Sequence, residues 1–181
     1  RGLVLFTAYE MMRAAAERTR PLLEAAGIDL LVQGDGVSRE SMVAALKDAL
    51  RPAVRPLVLF GAQSFWEGVD VPGPALSCVV LARLPFPQVG EPIVEARCER
   101  IKEQGGTPFR DYMLPEAQVR FRQGFGRLVR TQGDRGVVVV TDPRLAAKNY
   151  GALFRKAVPA SVHTMATLEE TLARAAEFLA R

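Results

Sequence analysis

Four short runs of this chain are continuously apolar: Leu3-Val4-Leu5-Phe6, Leu57-Val58-Leu59-Phe60, Cys78-Val79-Val80-Leu81, and the four consecutive valines within residues 136–141. A strand with one wet face alternates apolar and polar residues, so unbroken runs require burial on both faces. Ile28 to Val32 is a fifth short strand candidate. Helical segments separate them. Residues 10–26 are rich in Ala, Leu, Arg and Glu and stop at Gly27, a good helix terminator. Ser38 can cap a helix through about residue 50, with Val43, Leu46 and Leu50 on one face. Residues 91–104, 115–131 and 144–156 read as further helices. Thr167 with Glu170 forms a capping box for a last helix, in which Leu168, Leu172 and Leu179 can pack.

Strand–helix–strand alternation with two-sided burial implies an α/β fold, a mostly parallel sheet with helices on both faces. No repeat or low-complexity tract divides the chain, so residues 1–181 read as one domain, with 160–181 a helical extension of it. The first strand pattern begins directly after Arg1, which leads us to expect a fragment of a longer polypeptide.

The residue inventory removes several chemistries. His163 is the only histidine, Cys78 and Cys98 are the only cysteines, and no Cys-x-x-Cys occurs, so neither a zinc enzyme nor a Ser-His-Asp hydrolase is expected. No apolar run approaches the roughly 20 residues of a membrane span, and no signal peptide opens the chain. The expectation is a cytoplasmic protein without a membrane partner. Chemistry must come from arginines, carboxylates and backbone amides.

Charge points to where. The chain has 24 Lys and Arg against 20 Asp and Glu, a net charge of +4. Residues 118–136 alone carry Arg120, Arg122, Arg127, Arg130 and Arg135 against Asp134, so 5 − 1 = +4 and the remainder sums to zero.

In open α/β sheets ligands bind beyond the carboxyl ends of strands. Three segments there carry candidate chemistry. The loop Gly61 to Gly73 combines Ser64, Trp66, Glu67, Gly68 and Asp70. Its glycines let backbone amides approach a phosphate, Asp70 can accept from a ribose, and Ser64 can bond a nucleic-acid phosphate. The same loop also reads as a tight turn with Trp66 in the core and Glu67 solvated. The second segment is Arg120-Phe121-Arg122-Gln123-Gly124-Phe125-Gly126-Arg127-Leu128-Val129-Arg130. On a continuous helix Gln123, Arg127 and Arg130 share one face, where two guanidiniums suit a phosphate. Gly124 and Gly126 each cost a helix about 1 kcal/mol relative to alanine, a cost that a close backbone approach would explain. The alternative is a solvated basic face. Third, Thr7 and Tyr9 at the exit of the first strand can touch a nucleic-acid backbone, while Thr7 equally fits a helix N-cap.

No Gly-x-x-x-x-Gly-Lys-Ser/Thr P-loop occurs, and no Asp-Glu pair is available to hold Mg²⁺. Phosphate-directed arginines without a nucleotide cradle make half a site, which makes sense when the cradle lies on another domain.

Read together, these segments resemble the second RecA-like motor domain of superfamily 2 DNA helicases, in the DinG-like branch related to XPD. Residues 3–9, Leu-Val-Leu-Phe-Thr-Ala-Tyr, resemble motif IV; residues 64–73 resemble motif V; Gln123-Gly-Phe-Gly-Arg-Leu-Val-Arg130 resembles motif VI. The resemblance covers residues 1–159.

It implies that ATP and Mg²⁺ are bound mainly by an absent N-terminal motor domain of the same polypeptide. Arg127 and Arg130 would then be arginine fingers on the γ-phosphate, with Gln123 positioning them or the nucleotide. Glu67, Gly68, Asp70 and Gly126 would border the nucleotide site, and Thr7, Tyr9 and Ser64 would face single-stranded DNA. Many relatives carry an iron–sulfur cluster in the first domain; Cys78 and Cys98 do not resemble its ligands. The full-length protein would be an ATP-dependent DNA helicase, and this chain alone inactive. The alternative is a stand-alone nucleic-acid-binding or regulatory domain without motor activity.

Overall fold

The apolar runs pair as an all-parallel five-stranded sheet in the order β2-β3-β1-β4-β5. The strands are β1 (Gly2–Leu5), β2 (Asp29–Val32), β3 (Leu57–Gly61), β4 (Cys78–Leu81) and β5 (Val137–Val140). The computed structural model describes residues 1–48, 51, 54–66, 76–128 and 135–180. Register places Leu3 between Leu59 and Val79, and Leu5 between Gly61 and Leu81. Because side chains alternate along a strand, this register sorts the runs onto two faces.

On one face Leu3, Leu5, Leu57, Leu59, Val79 and Leu81 meet three helices. These are α2 (Arg39–Asp48) through Met42 and Leu46, α4 (Leu114–Phe125) through Ala117 and Phe121, and α6 (Gly151–Lys156) through Phe154. On the other face Phe6, Val32 and Phe60 pack on Met12 and Ala16 of α1 (Tyr9–Ala25). A helix is needed on each side because both faces of the central strands are apolar. The helix α3 (Pro92–Glu103), a π-helical segment Phe109–Met113 and the short α5 (Arg144–Ala147) complete the connections, and α7 (Leu168–Ala180) follows.

The termini form as their residues require. Ser38 Oγ accepts the Ser41 N–H at 3.1 Å, and Thr167 Oγ1 accepts the Glu170 N–H at 3.1 Å. Gly27 adopts φ 71°, and its neighbour Ile28 donates back to the Leu23 carbonyl, which closes α1 with a left-handed turn.

Four expectations are corrected. The segment 144–156 is two helices, α5 and α6, broken at Lys148–Tyr150. The helix expected over 115–131 ends at Phe125, where Gly126 is its C-cap. The N-cap of α1 is Ala8, not Thr7, and no side chain caps it. In α7, Leu168, Leu172 and Leu179 remain 63%, 59% and 43% exposed. That helix turns Thr171, Ala175 and Phe178 toward the groove beside β5 instead, with the Arg135 guanidinium 5.4 Å from the Phe178 ring centre.

Candidate functional site

The chain leaves β1 toward β2 on one side of the sheet and leaves β4 toward β5 on the other. Between β1 and β4 the strand order therefore reverses, and such a switch opens a crevice at the carboxyl edge. A cleft of about 290 Å³ lies there, lined among others by Thr7, Ser64, Trp66, Phe86, Gln88 and Arg120. Thr7 and Ser64, singled out from sequence, thus share one cleft. Arg120 adds a cation that is already paired with Glu116 at 3.2 Å.

Trp66 resolves as a core residue. It is 4% exposed, and its indole Nε1–H donates to the Phe6 carbonyl at 2.8 Å. Its ring lies against α4 at Gly124, where a Cβ would sit 2.8 Å from Cζ3. The close approach expected at Gly124 is therefore real but internal: tryptophan, not a ligand, occupies the space. One side chain joins the end of β1, the loop after β3 and the end of α4.

A second junction was not recognised in the sequence. Gln33, immediately after β2, accepts the Ala62 N–H on Oε1 at 2.8 Å. Its Nε2 donates to Tyr9 Oη at 2.7 Å and to Ser64 Oγ at 3.0 Å. Tyr9 and Ser64 are both exposed. Gln88 Nε2 similarly donates to the Thr7 carbonyl. Nothing in the local pattern marked these glutamines, because their partners are distant in sequence.

A third junction ties the segment after β5 to the loop after β4. Asp142 is 6% exposed and accepts from the Leu84 N–H at 2.9 Å and the Arg144 N–H at 3.0 Å. The Arg144 guanidinium adds Nη2 at 2.6 Å and itself lies 5.2 Å from the Phe86 ring centre. Burial pushes the Asp142 carboxyl up, but the hydrogen bonds and charge of Arg144, with the Leu84 amide, outweigh it and hold the pKa below the usual value.

At the end of α4 the geometry departs from a continuous helix. The Arg127 N–H donates to Gly124 and that of Leu128 to Phe125, the tighter bonding of a closing turn. Arg127 Nε donates to the Gln123 carbonyl at 3.2 Å. Gln123 and Arg127 thus remain together, with Gly126 between them in the right-handed region. The Gln123 Oε1 atom is buried and, among the described residues, lacks a hydrogen-bond donor. Arg130, Glu67, Gly68 and Asp70 lie outside the described residues.

Among the described residues no cluster of three or more His, Cys, Asp or Glu could hold a metal ion. Cys78 sits half-buried in β4, and burial pushes its thiol pKa up, opposite to what a ligand thiolate needs. Among the described residues no helix is long and apolar enough to cross a membrane.

A parallel sheet, helices on both faces and a polar cleft at the strand-order switch define an α/β domain of the RecA-like kind. The chain belongs to the helicase C-terminal domain family, whose model matches residues 1–161. Among its relatives is the ATP-dependent DNA helicase YoaA of Haemophilus influenzae, 43% identical over 164 residues, covering 91% of this chain and 24% of that protein. Another is the 3'-5' exonuclease DinG of Bacillus subtilis, 39% identical over 158 residues, covering 87% of this chain and 16% of that protein. The chain therefore spans a quarter or less of these relatives. A solved structure titled "XPD_Helicase" superposes with a TM-score of 0.65 at 19% identity, over 91% of this chain and 28% of that one, and shares the fold.

Proposed function

We propose that this chain is the second motor domain of an ATP-dependent DNA helicase, supplying arginine fingers to an ATP site shared with a P-loop domain of the same polypeptide. The supporting observation is the convergence at Trp66, which ties the end of β1, the Ser64 loop and the end of α4 into one solid unit. DNA-facing and phosphate-facing segments are thereby mechanically continuous. Domain boundaries follow the same reading: residues 1–181 form the motor domain, with 160–181 an extension of it.

In this reading Arg127 and Arg130 direct N–H donors at the γ-phosphoryl oxygens, where charge changes during transfer to water. A guanidinium suits that task because it is always protonated and donates through a planar fork. Gln123 holds Arg127 through its carbonyl, and its Oε1, without a donor among the described residues, suits one such as a ribose hydroxyl or a guanidinium. Gly126 closes α4 so that Arg127 leaves the helix axis. Glu67, Gly68 and Asp70 border the nucleotide and relay its state to the DNA strip of Thr7, Tyr9 and Ser64. Mg²⁺ would supply charge neutralisation from the P-loop domain, since no cluster of ligands among the described residues fits it, and any iron–sulfur cluster would also belong to that domain. The isolated chain should be inactive as an ATPase and bind single-stranded DNA weakly, because it offers half of each site.

The test is DNA-stimulated ATP hydrolysis by the full-length protein, wild type beside Arg127→Ala. A loss of about a hundredfold or more is expected with nucleotide still bound, since a finger of this kind is worth about 10³–10⁵ in rate. Unchanged hydrolysis would remove Arg127 from the phosphate and favour a nucleic-acid-binding domain without motor activity.

A further inference from the structure

Gln33 has a hydrogen-bond geometry that fixes more than its own position. Its backbone N–H extends the sheet by donating to the Phe60 carbonyl at 3.0 Å. Its side-chain oxygen accepts the Ala62 N–H. A backbone N–H can only donate, so this contact decides which end of the amide is oxygen, and the NH₂ group must face Tyr9 and Ser64. Both hydroxyl oxygens then act as acceptors toward Gln33. An amide NH₂ accepts nothing, so neither hydroxyl proton can turn inward to it. Each O–H is left to donate elsewhere, and both residues are exposed, with Ser64 in the lining of the cleft. Gln88 acts in the same sense one loop away, covering the Thr7 carbonyl, an acceptor that would otherwise repel an anion.

We propose that Gln33 is a positioning residue that turns the Tyr9 and Ser64 hydroxyls into a pair of outward donors for the phosphodiester oxygens of a single strand. Phosphodiester oxygens only accept, so a strip that presents donors binds them and a strip that presents acceptors does not. Gln33 does not touch the nucleic acid; it sets the polarity of two groups that do. The inference rests on the assignment of Tyr9 and Ser64 to the DNA strip made above.

The substitution Gln33→Glu preserves shape and the Ala62 contact but replaces the NH₂ with a second acceptor, toward which both hydroxyl protons would turn. Binding of an oligothymidylate to the full-length protein is measured by fluorescence anisotropy at fixed salt. The substitution is made in the wild type and in the Tyr9→Phe/Ser64→Ala background. We expect a loss of about tenfold in the wild type, as for two weakened charge-assisted hydrogen bonds, and about two- to threefold in the double variant, from added negative charge alone. Gln33→Met, which adds no charge, should give a smaller loss that also vanishes in the double variant. An equal loss in both backgrounds overturns the role of Gln33, because a merely structural residue would act independently of the hydroxyls. If Tyr9→Phe/Ser64→Ala itself binds as tightly as wild type, the DNA strip is wrongly placed and the inference falls with it. Thermal melting of each variant separates these outcomes from unfolding.

Discussion

Asp142 and Gln33 perform the same topological task in opposite halves of the sheet, Asp142 beyond β5 and Gln33 beyond β2. Each ties loops from neighbouring strands together at the carboxyl edge, yet they are built from opposite materials. The Asp142 side chain is 3% exposed, charged, and saturated by two backbone amides and a guanidinium. Gln33 is neutral and half-buried, and its partners Tyr9 and Ser64 are exposed. The difference follows from desolvation. A carboxylate taken out of water must be fully paired, which leaves it nothing to offer a ligand. An amide at the rim can satisfy itself and still leave hydroxyl protons pointing outward. Buried charge makes a rivet here, and surface amide makes a template.

This contrast can be broken in order of size. Asp142→Ala strips the Leu84 N–H and the Arg144 guanidinium of their acceptor. Denaturant unfolding should show a loss of about 2–3 kcal/mol, below the full cost for a buried pair because Arg144 is partly solvated. A loss under half a kcal/mol would mean that the rivet holds nothing.

The pH dependence sharpens the same point. Asp142 titrates below its unfolded value of about 3.9, so its contribution is complete above that pH. It disappears as pH falls further, through the depressed folded value. The stability gap between wild type and Asp142→Ala should therefore be constant near neutrality and narrow below about pH 4. A gap that persists in acid would assign the loss to packing.

The smallest effect is expected at Gln33. Gln33→Met removes neutral, partly solvated hydrogen bonds and should cost about 0.5–1 kcal/mol in unfolding experiments. A penalty as large as that at Asp142 would make it a second rivet and erase the distinction.

The sheet was legible in the sequence because continuous apolar runs admit few other fates. Leu3 to Phe6 and Leu57 to Phe60 can be buried on both faces only inside a parallel sheet with helical cover. Two local caps were equally legible, since Ser38 and Thr167 act on amides three residues away, whereas α1 starts without a side-chain cap. The junctions were not. Asp142 finds Leu84 at a separation of 58 residues, and Gln33 finds Ser64 at 31. No periodicity encodes such a meeting. Gly124 shows how a correct observation can carry the wrong reason, for its missing side chain makes room for Trp66. The leucines of α7 show the reverse error. An apolar stripe at helical spacing indicates that packing is possible, while Thr171, Ala175 and Phe178 are the residues that line the groove beside β5.

Trp66 is the only tryptophan in the chain. It lies where three segments meet, dry and hydrogen-bonded to a backbone carbonyl. The seam that carries the proposed communication between strand and nucleotide is therefore also the place where the chain absorbs and emits most strongly in the near ultraviolet. This domain has a built-in optical gauge: any movement that parts the end of α4 from the β1 exit must first wet its own fluorophore.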